Sequence, residues 1–296
     1  MAMQFGVALP HYSQLATREA LVTSAQESEA LAYDSVWTTD HVLMATDQPE
    51  PYGRIIEAFV SLAYVAALTQ RVRLGTSVIV LPQREPVLVG KQAAALDVLS
   101  GGRLILGVGA GWNEREFGYL GASFHDRGKR LDEYIGALRT LWSAPAPRFE
   151  GGYVRFTDVS FEPRPIQPGG PPIWLGGGSR AALRRAATLC DGWHAVGLPP
   201  DEFAAGMRTI GDLAGERRVT GSVRLRAAVG RKLPEQRGAS GAIQAQLSGS
   251  PEEIVDGVHA YAAAGASELI LYFGAQDLEA NLADMRRFAE LVRPRV

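Results

Sequence analysis

The chain is short of cysteine, of any excess of one charge, and of long apolar runs. Cys190 is the single cysteine among 296 residues, so neither an internal disulfide nor a cysteine metal cluster can form. Thirty Lys and Arg meet 32 Asp and Glu, for a net charge of −2. A dedicated nucleic-acid binder would instead carry a basic stripe. No stretch approaches the ~18 apolar residues of a membrane span. The opening MAMQFGVALPH has neither the basic start nor the apolar core of a signal peptide. These absences lead to the expectation of a soluble, cytoplasmic protein. Histidines and carboxylates show no metal-ligand spacing such as HExxH, so no metal is expected. Glycine alone is in excess, at 33 of 296 residues against a usual ~7%.

Short β-like runs alternate with helical ones along the chain. Strands are expected at 3–9, 35–38, 73–81, 103–108, 173–175, 192–196, 223–229 and 268–273. Helices are expected at 17–31, 55–68, 86–99, 128–142, 179–189, 201–217, 251–264 and 278–292, from apolar residues at helical spacing. Ser250 and Glu253 form a capping box at the start of the seventh. Residues 144–172 interrupt the alternation with seven prolines and four glycines around FEGGYVRF, a hairpin signature. Eight strand–helix units in order predict one (β/α)₈ barrel domain over 1–296. It has an insertion after helix 4 and an irregular segment, 231–249, after strand 7. An open doubly wound sheet with a second domain is the alternative, but no shift in composition marks a boundary.

In such a barrel chemistry is built where strands end, because the βα loops converge there. Asp40-His41 follows strand 2, Ser77-Val78 falls within strand 3, Gly107–Glu114 closes strand 4, Gly176–Ser179 closes strand 5, and His194 lies on strand 6. The GGGS stretch can expose backbone N–H groups to a phosphate at a helix start. A tight turn needing positive φ explains the same glycines equally well. His41 reads as a general acid or base, or as a cap on the next segment. His11 is a second candidate for the mouth. Trp174 reads as barrel filling, and Trp112, in a glycine-rich loop, as a pocket wall. Arg127, Arg130 and Glu133 read as a buried ion-pair lattice on helix 4, and Cys190 as an inert buried thiol.

Together SVWTTDH (35–41), RLGTSVIVLPQREP (73–86), KQAAALDVLSGGRLILGVGAGWNEREF (91–117), RGKRLDEY (127–134) and PPIWLGGGSRAALRRAATLCDGW (171–193) resemble the luciferase-like monooxygenase superfamily, within it the actinobacterial branch dependent on coenzyme F420. The resemblance implies an oxidoreductase transferring a hydride between the deazaflavin and a small organic substrate. It implies Asp40 and His41 beside the reactive ring and a non-proline cis peptide at Ser77-Val78 behind it. It further implies cofactor contacts from Gly109, Ala110, Trp112, Gly176, Gly177, Gly178, Ser179 and His194. Sugar-phosphate dehydrogenases of the family place a glutamate where Trp112 stands and an aromatic near Ala45, so another substrate is expected. Two alternatives accompany the resemblance: an FMN-dependent monooxygenase supplied by a separate reductase, and a non-catalytic deazaflavin carrier. Many relatives dimerise through barrel helices, which makes a homodimer the expected assembly.

Overall fold

The computed structural model describes residues 2–48, 50–238 and 241–296. Eight parallel strands form its centre: β1 (Gln4–Ala8), β2 (Ser35–Thr38), β3 (Arg73–Thr76), β4 (Leu104–Gly109), β5 (Ile173–Gly176), β6 (Gly192–Val196), β7 (Thr220–Val229) and β8 (Glu268–Tyr272). Each pairs with its neighbours in sequence, and β8 returns to β1 from Gln4↔Glu268 to Val7↔Leu271. The barrel is closed, as the alternation predicts. Its helices are α1 (Arg18–Ala30), α2 (Ala58–Ala66), α3 (Pro86–Ser100), α4 (Arg127–Ser143), α5 (Arg180–Leu189), α6 (Pro200–Ala214), α7 (Pro251–Ala263) and α8 (Leu278–Leu291).

Alternation along the strands sorts side chains into two shells. Val7, Val36, Leu74, Leu106, Leu175 and Leu271 point outward and bury themselves under the helices. The opposite parity fills the lumen in layers. At the bottom, the Ser35 hydroxyl and the Arg73 guanidinium both bond the Glu268 carboxylate. Above them Ala8, Trp37, Ile105, Trp174 and Ile270 make an apolar plug. Trp37 fits because its flanking strands carry glycine. A Cβ on Gly75 would lie 2.2 Å from the indole ring, and one on Gly6 would lie 2.7 Å from its nitrogen. The lumen is therefore packed solid below the mouth.

Helix ends follow local chemistry. Glu85 accepts from Val87 N and Leu88 N ahead of Pro86, and Gly101 ends α3 at φ 71°, the asymmetry that favours proline at the start and glycine at the end. The capping box at Ser250 and Glu253 forms as expected. Three local features differ from the sequence reading. The run 73–81 is not one strand: it breaks at Ser77-Val78, and Ile79–Val80 pairs onto β4. A short helix, Glu114–Tyr119, follows β4. In the segment expected to be irregular, Gln246–Gly249 lies parallel to Arg226–Val229. The reason is that β7 runs beyond β8, whose register ends at Arg226↔Tyr272, and its free backbone groups need a partner.

The insertion contains the expected hairpin, Phe149–Glu150 against Arg155–Phe156. Glu133 accepts the N–H groups of Gly152, Tyr153 and Val154 at its turn. That corrects the ion-pair lattice on helix 4. Glu133 clamps the hairpin, Arg130 pairs with Asp126 one turn away, and Arg127 bonds backbone carbonyls.

Candidate active site

A cavity of about 1160 Å³ opens at the C-terminal ends of the strands. Asp40, His41, Ser77, Val78, Gly109, Ala110, Trp112 and the run Gly176–Ser179 all reach its wall. One side is built from β3, β4 and β5. The Ser77-Val78 peptide is cis, as the resemblance implies. Val78 packs down on β4 and β5, where a Cβ at Gly109 would come within 2.7 Å of its methyl group. Gly177 takes φ 109°, a conformation costly to any residue with a Cβ. Its carbonyl accepts Trp193 Nε1–H at 2.8 Å. The Ser179 hydroxyl caps α5 by accepting Ala182 N–H at 3.2 Å. Arg127 and Arg185 complete this side. Arg185 pairs with Asp132, whereas Arg127 is held by the Phe124 carbonyl at 2.8 Å and lies over the Phe124 ring.

The other side centres on His41. Its Nδ1 lies 2.8 Å from Glu116 Oε2, and Glu116 Oε1 accepts Val42 N at 2.6 Å and Leu43 N at 3.2 Å. Burial works against ionisation of Glu116, but the bonds from His41, Val42 and Leu43 outweigh it and hold the carboxyl below its ordinary value. A carboxylate accepts only, so Nδ1 carries the proton and Nε2 is left for the cavity. The ring stacks on Tyr52 at 4.3 Å and meets Trp112 edge-on at 5.6 Å.

Asp40 is not the partner of His41. Its carboxylate takes Arg84 through Nη2 at 2.6 Å and Nε at 3.1 Å, and Val80 N at 3.0 Å, so it ties the β2 loop to the segment after the cis peptide. His194 does not line the cavity. It is fully buried, stacked on Trp37 at 5.1 Å, with Nε2 2.7 Å from Ser77 Oγ and Nδ1 2.9 Å from Ser222 Oγ. Burial, with Arg224 nearby, pushes its pKa down to about 3, so it is a neutral prop beneath the bulge. His11 is also internal, bonding the Leu9 carbonyl and the Thr39 backbone. Burial lowers its pKa as well. Burial lifts the Cys190 thiol to about 12, which leaves it unreactive.

Four site residues were not singled out from the sequence: Glu116, Tyr12, Tyr52 and Arg224. Glu116 had one legible signal, Asn113 three positions earlier, which caps the short helix. Tyr52 arrives because Ile56 N bonds the His11 carbonyl and Ser13 N bonds the Arg54 carbonyl, folding the 42–56 loop onto Tyr12.

Residues 3–230 match the luciferase-like monooxygenase family. The chain belongs to that family. As a luciferase-like protein it is an oxidoreductase enzyme. A protein of Mycobacterium tuberculosis (strain H37Rv), whose name assigns no activity, is 31% identical over 293 residues, covering 92% of this chain and 94% of its own. An F420-dependent glucose-6-phosphate dehydrogenase of Kineococcus radiotolerans is 35% identical over 178 residues, 58% of this chain and 51% of its own. Among solved structures, a monooxygenase from Streptomyces bottropensis superposes with a TM-score of 0.83 at 23% identity, over 99% of both chains. An F420-dependent secondary alcohol dehydrogenase in complex with an F420-acetone adduct gives 0.82 at 18%, over 100% of this chain and 99% of its own. At such identities the superpositions speak for the barrel alone.

Proposed function

We propose that this luciferase-like protein moves a hydride between coenzyme F420 and a small organic substrate, with His41 serving the proton that accompanies it. One observation carries the reading. A histidine oriented by a buried carboxylate and a glycine turn heading a helix face a single cavity of about 1160 Å³, more than the ~300–1,000 Å³ typical of one ligand. There is room for a tricyclic cofactor and a reactant together.

The residues present fit a deazaflavin. The Ser77-Val78 bulge offers a flat wall, and the α5 start offers N–H groups with Arg127 and Arg185 at hand for its phosphate. When bound, the deazaflavin supplies the hydride chemistry. His41 holds or accepts a proton at Nε2, and Glu116 fixes the tautomer and stabilises the imidazolium. Trp112 and Tyr52 hold the ring in place and exclude water around it. The 35% identity to an F420-dependent glucose-6-phosphate dehydrogenase supports this cofactor.

The test is a side-by-side titration of the purified protein with F420 and FMN, read by fluorescence quenching. F420 should bind at micromolar concentration or tighter and FMN at least about tenfold more weakly, a gap of ~1.4 kcal/mol. Equal affinities, or tighter FMN, would move the protein to the flavin monooxygenases fed by a separate reductase.

A further inference from the structure

Two strands along the barrel from the glycine turn, with β6 between, β7 carries a guanidinium that no group in the described chain neutralises. Arg224 follows Ser222 on the lumen face of β7, lies at the cavity wall, and is only 8% exposed. Its one hydrogen bond donates Nη2–H to the Tyr12 hydroxyl at 2.6 Å. The Tyr12 and Tyr272 rings flank it, 5.8 and 5.3 Å from Cζ, and stack on each other. Among the described residues no carboxylate pairs with it. The groups that act on its charge are burial and the phenols Tyr12, Tyr52 and Tyr272. Other arginines at this cavity are served differently. Arg185 has Asp132, Arg237 pairs with Glu235, and Arg226 donates to the Pro234 carbonyl at 3.2 Å. Arg127, also without a carboxylate, donates to the Gly111 and Phe124 carbonyls beside the glycine turn.

A buried charge without a counter-ion is a standing cost to folding. A guanidinium has five N–H donors in a rigid fork, and here the chain occupies one. The structure therefore retains a cation whose partner must come from the cavity. We propose that Arg224, with the Tyr12 and Tyr272 hydroxyls, anchors a carboxylate on the substrate, so that the reactant is a small organic monoanion held with its reacting carbon toward His41.

This rests on the hydride-transfer reading and names its substrate class. Placement separates the anchor from the cofactor. The glycine turn, Arg127 and Arg185 belong to β5, α4 and α5, whereas Tyr272, Tyr12 and His41 belong to β8 and the ends of β1 and β2, contiguous with β7. An unbroken row of ring contacts runs from Arg224 through Tyr12 and Tyr52 to His41, with Tyr12–Tyr52 centroids at 5.3 Å. One cation and neutral phenols suit a planar monoanion. Burial raises Tyr12 well above its ordinary pKa and keeps it protonated. A dianionic phosphate would call for a second cation or a helix start at this spot.

The experiment uses the full chain without cofactor, so that a failure of F420 to bind condemns the cofactor reading and leaves this one to its own result. Benzoate and hexanoate are compared with benzamide and hexanamide, and with inorganic phosphate and methanesulfonate, by calorimetry and thermal shift. The carboxylates should bind, with the amides and phosphate about tenfold weaker or more, a step of ~1.4 kcal/mol. Arg224→Met should lose the carboxylates by a similar factor, melt no lower than the parent, and keep F420 affinity within a few-fold. Arg224→Lys, which keeps the charge but not the fork, should fall between. Carboxylates that fail to bind the parent, or that bind Arg224→Met equally, overturn the proposal, as does phosphate binding more tightly than either. Loss of F420 from Arg224→Met assigns the residue to the cofactor. Failure of that variant to fold makes the guanidinium a structural post. Either result refutes the substrate anchor.

Discussion

A histidine on a cavity wall is useful only if one ring nitrogen is fixed, and here Glu116 fixes it across 75 residues of chain. His41→Ala should lower turnover by ~10²- to 10⁴-fold. Glu116→Gln keeps the shape but loses the charge, and should cost ~10- to 100-fold. Both should leave F420 affinity within a few-fold in a quenching titration. If Glu116→Gln turns over as fast as the parent, the carboxylate merely holds the loop. The His194 imidazole makes a different prediction, about stability. The unfolded chain takes up its proton below ~6.5, while the folded chain resists until about 3. The unfolded state therefore binds more protons in that window, and stability must fall as pH drops through it. His194 alone contributes a slope of ~1.4 kcal/mol per pH unit, and His11 acts in the same direction. Urea midpoints at about pH 7, 6 and 5 should decline in the parent and less steeply in His194→Gln, which can still bond Ser77 and Ser222. A parent with pH-independent midpoints would mean that His194 is not held neutral.

At the scale of elements, the β5–α5 turn shows why some of the site was readable and some was not. Three successive glycines before a serine announce a turn through positive φ and a cap, and both are present. Strand ends at 38–41 and 173–179 could be placed from apolar alternation and glycine position alone. Glu116 and Arg224 could not. The helix that carries Glu116 is six residues long, too short to show a period. Arg224 sits in an alternating strand run like any solvent-facing arginine until barrel closure brings Tyr12, 212 residues away, against it. Strand Gln246–Gly249 exists only because β7 offers it an edge. The turn also sharpens a test of the phosphate site. Gly177→Asp would mix charge repulsion with backbone strain, because φ is 109° there. Gly178 carries no positive φ, and its Cβ would meet nothing nearer than Leu198 at 3.9 Å. Gly178→Asp should therefore weaken F420 binding by ~10-fold or more through like charge at a helix start, with the melting temperature little changed. Normal binding by that variant would place the phosphate elsewhere.

The whole molecule behaves as a stack in which floor and mouth share a wall. Trp37 fills the lumen, His194 lies flat against it at an interplanar angle of 3°, and Ser77 at the cavity edge bonds His194 from above. A disturbance of the plug thus has a short route to the cofactor wall. Gly75 supplies the disturbance, since any Cβ there enters the Trp37 ring. Overpacking of this kind costs ~1–3 kcal/mol, so Gly75→Ala should lower the melting temperature by several degrees, at ~2–4 °C per kcal/mol or somewhat less for a chain of this length. It should also weaken F420 binding, although the residue lies a full layer below the cavity. Trp37→Phe removes the offending ring, and the double variant should recover part of both losses. A coupling of ~0.5–3 kcal/mol is expected for residues in direct contact. Additive losses in stability would mean that the barrel relaxes around the new methyl group without involving Trp37. Coupled stability with unchanged F420 affinity would show that the plug supports the fold and that the Trp37–His194–Ser77 column does not carry its position to the mouth.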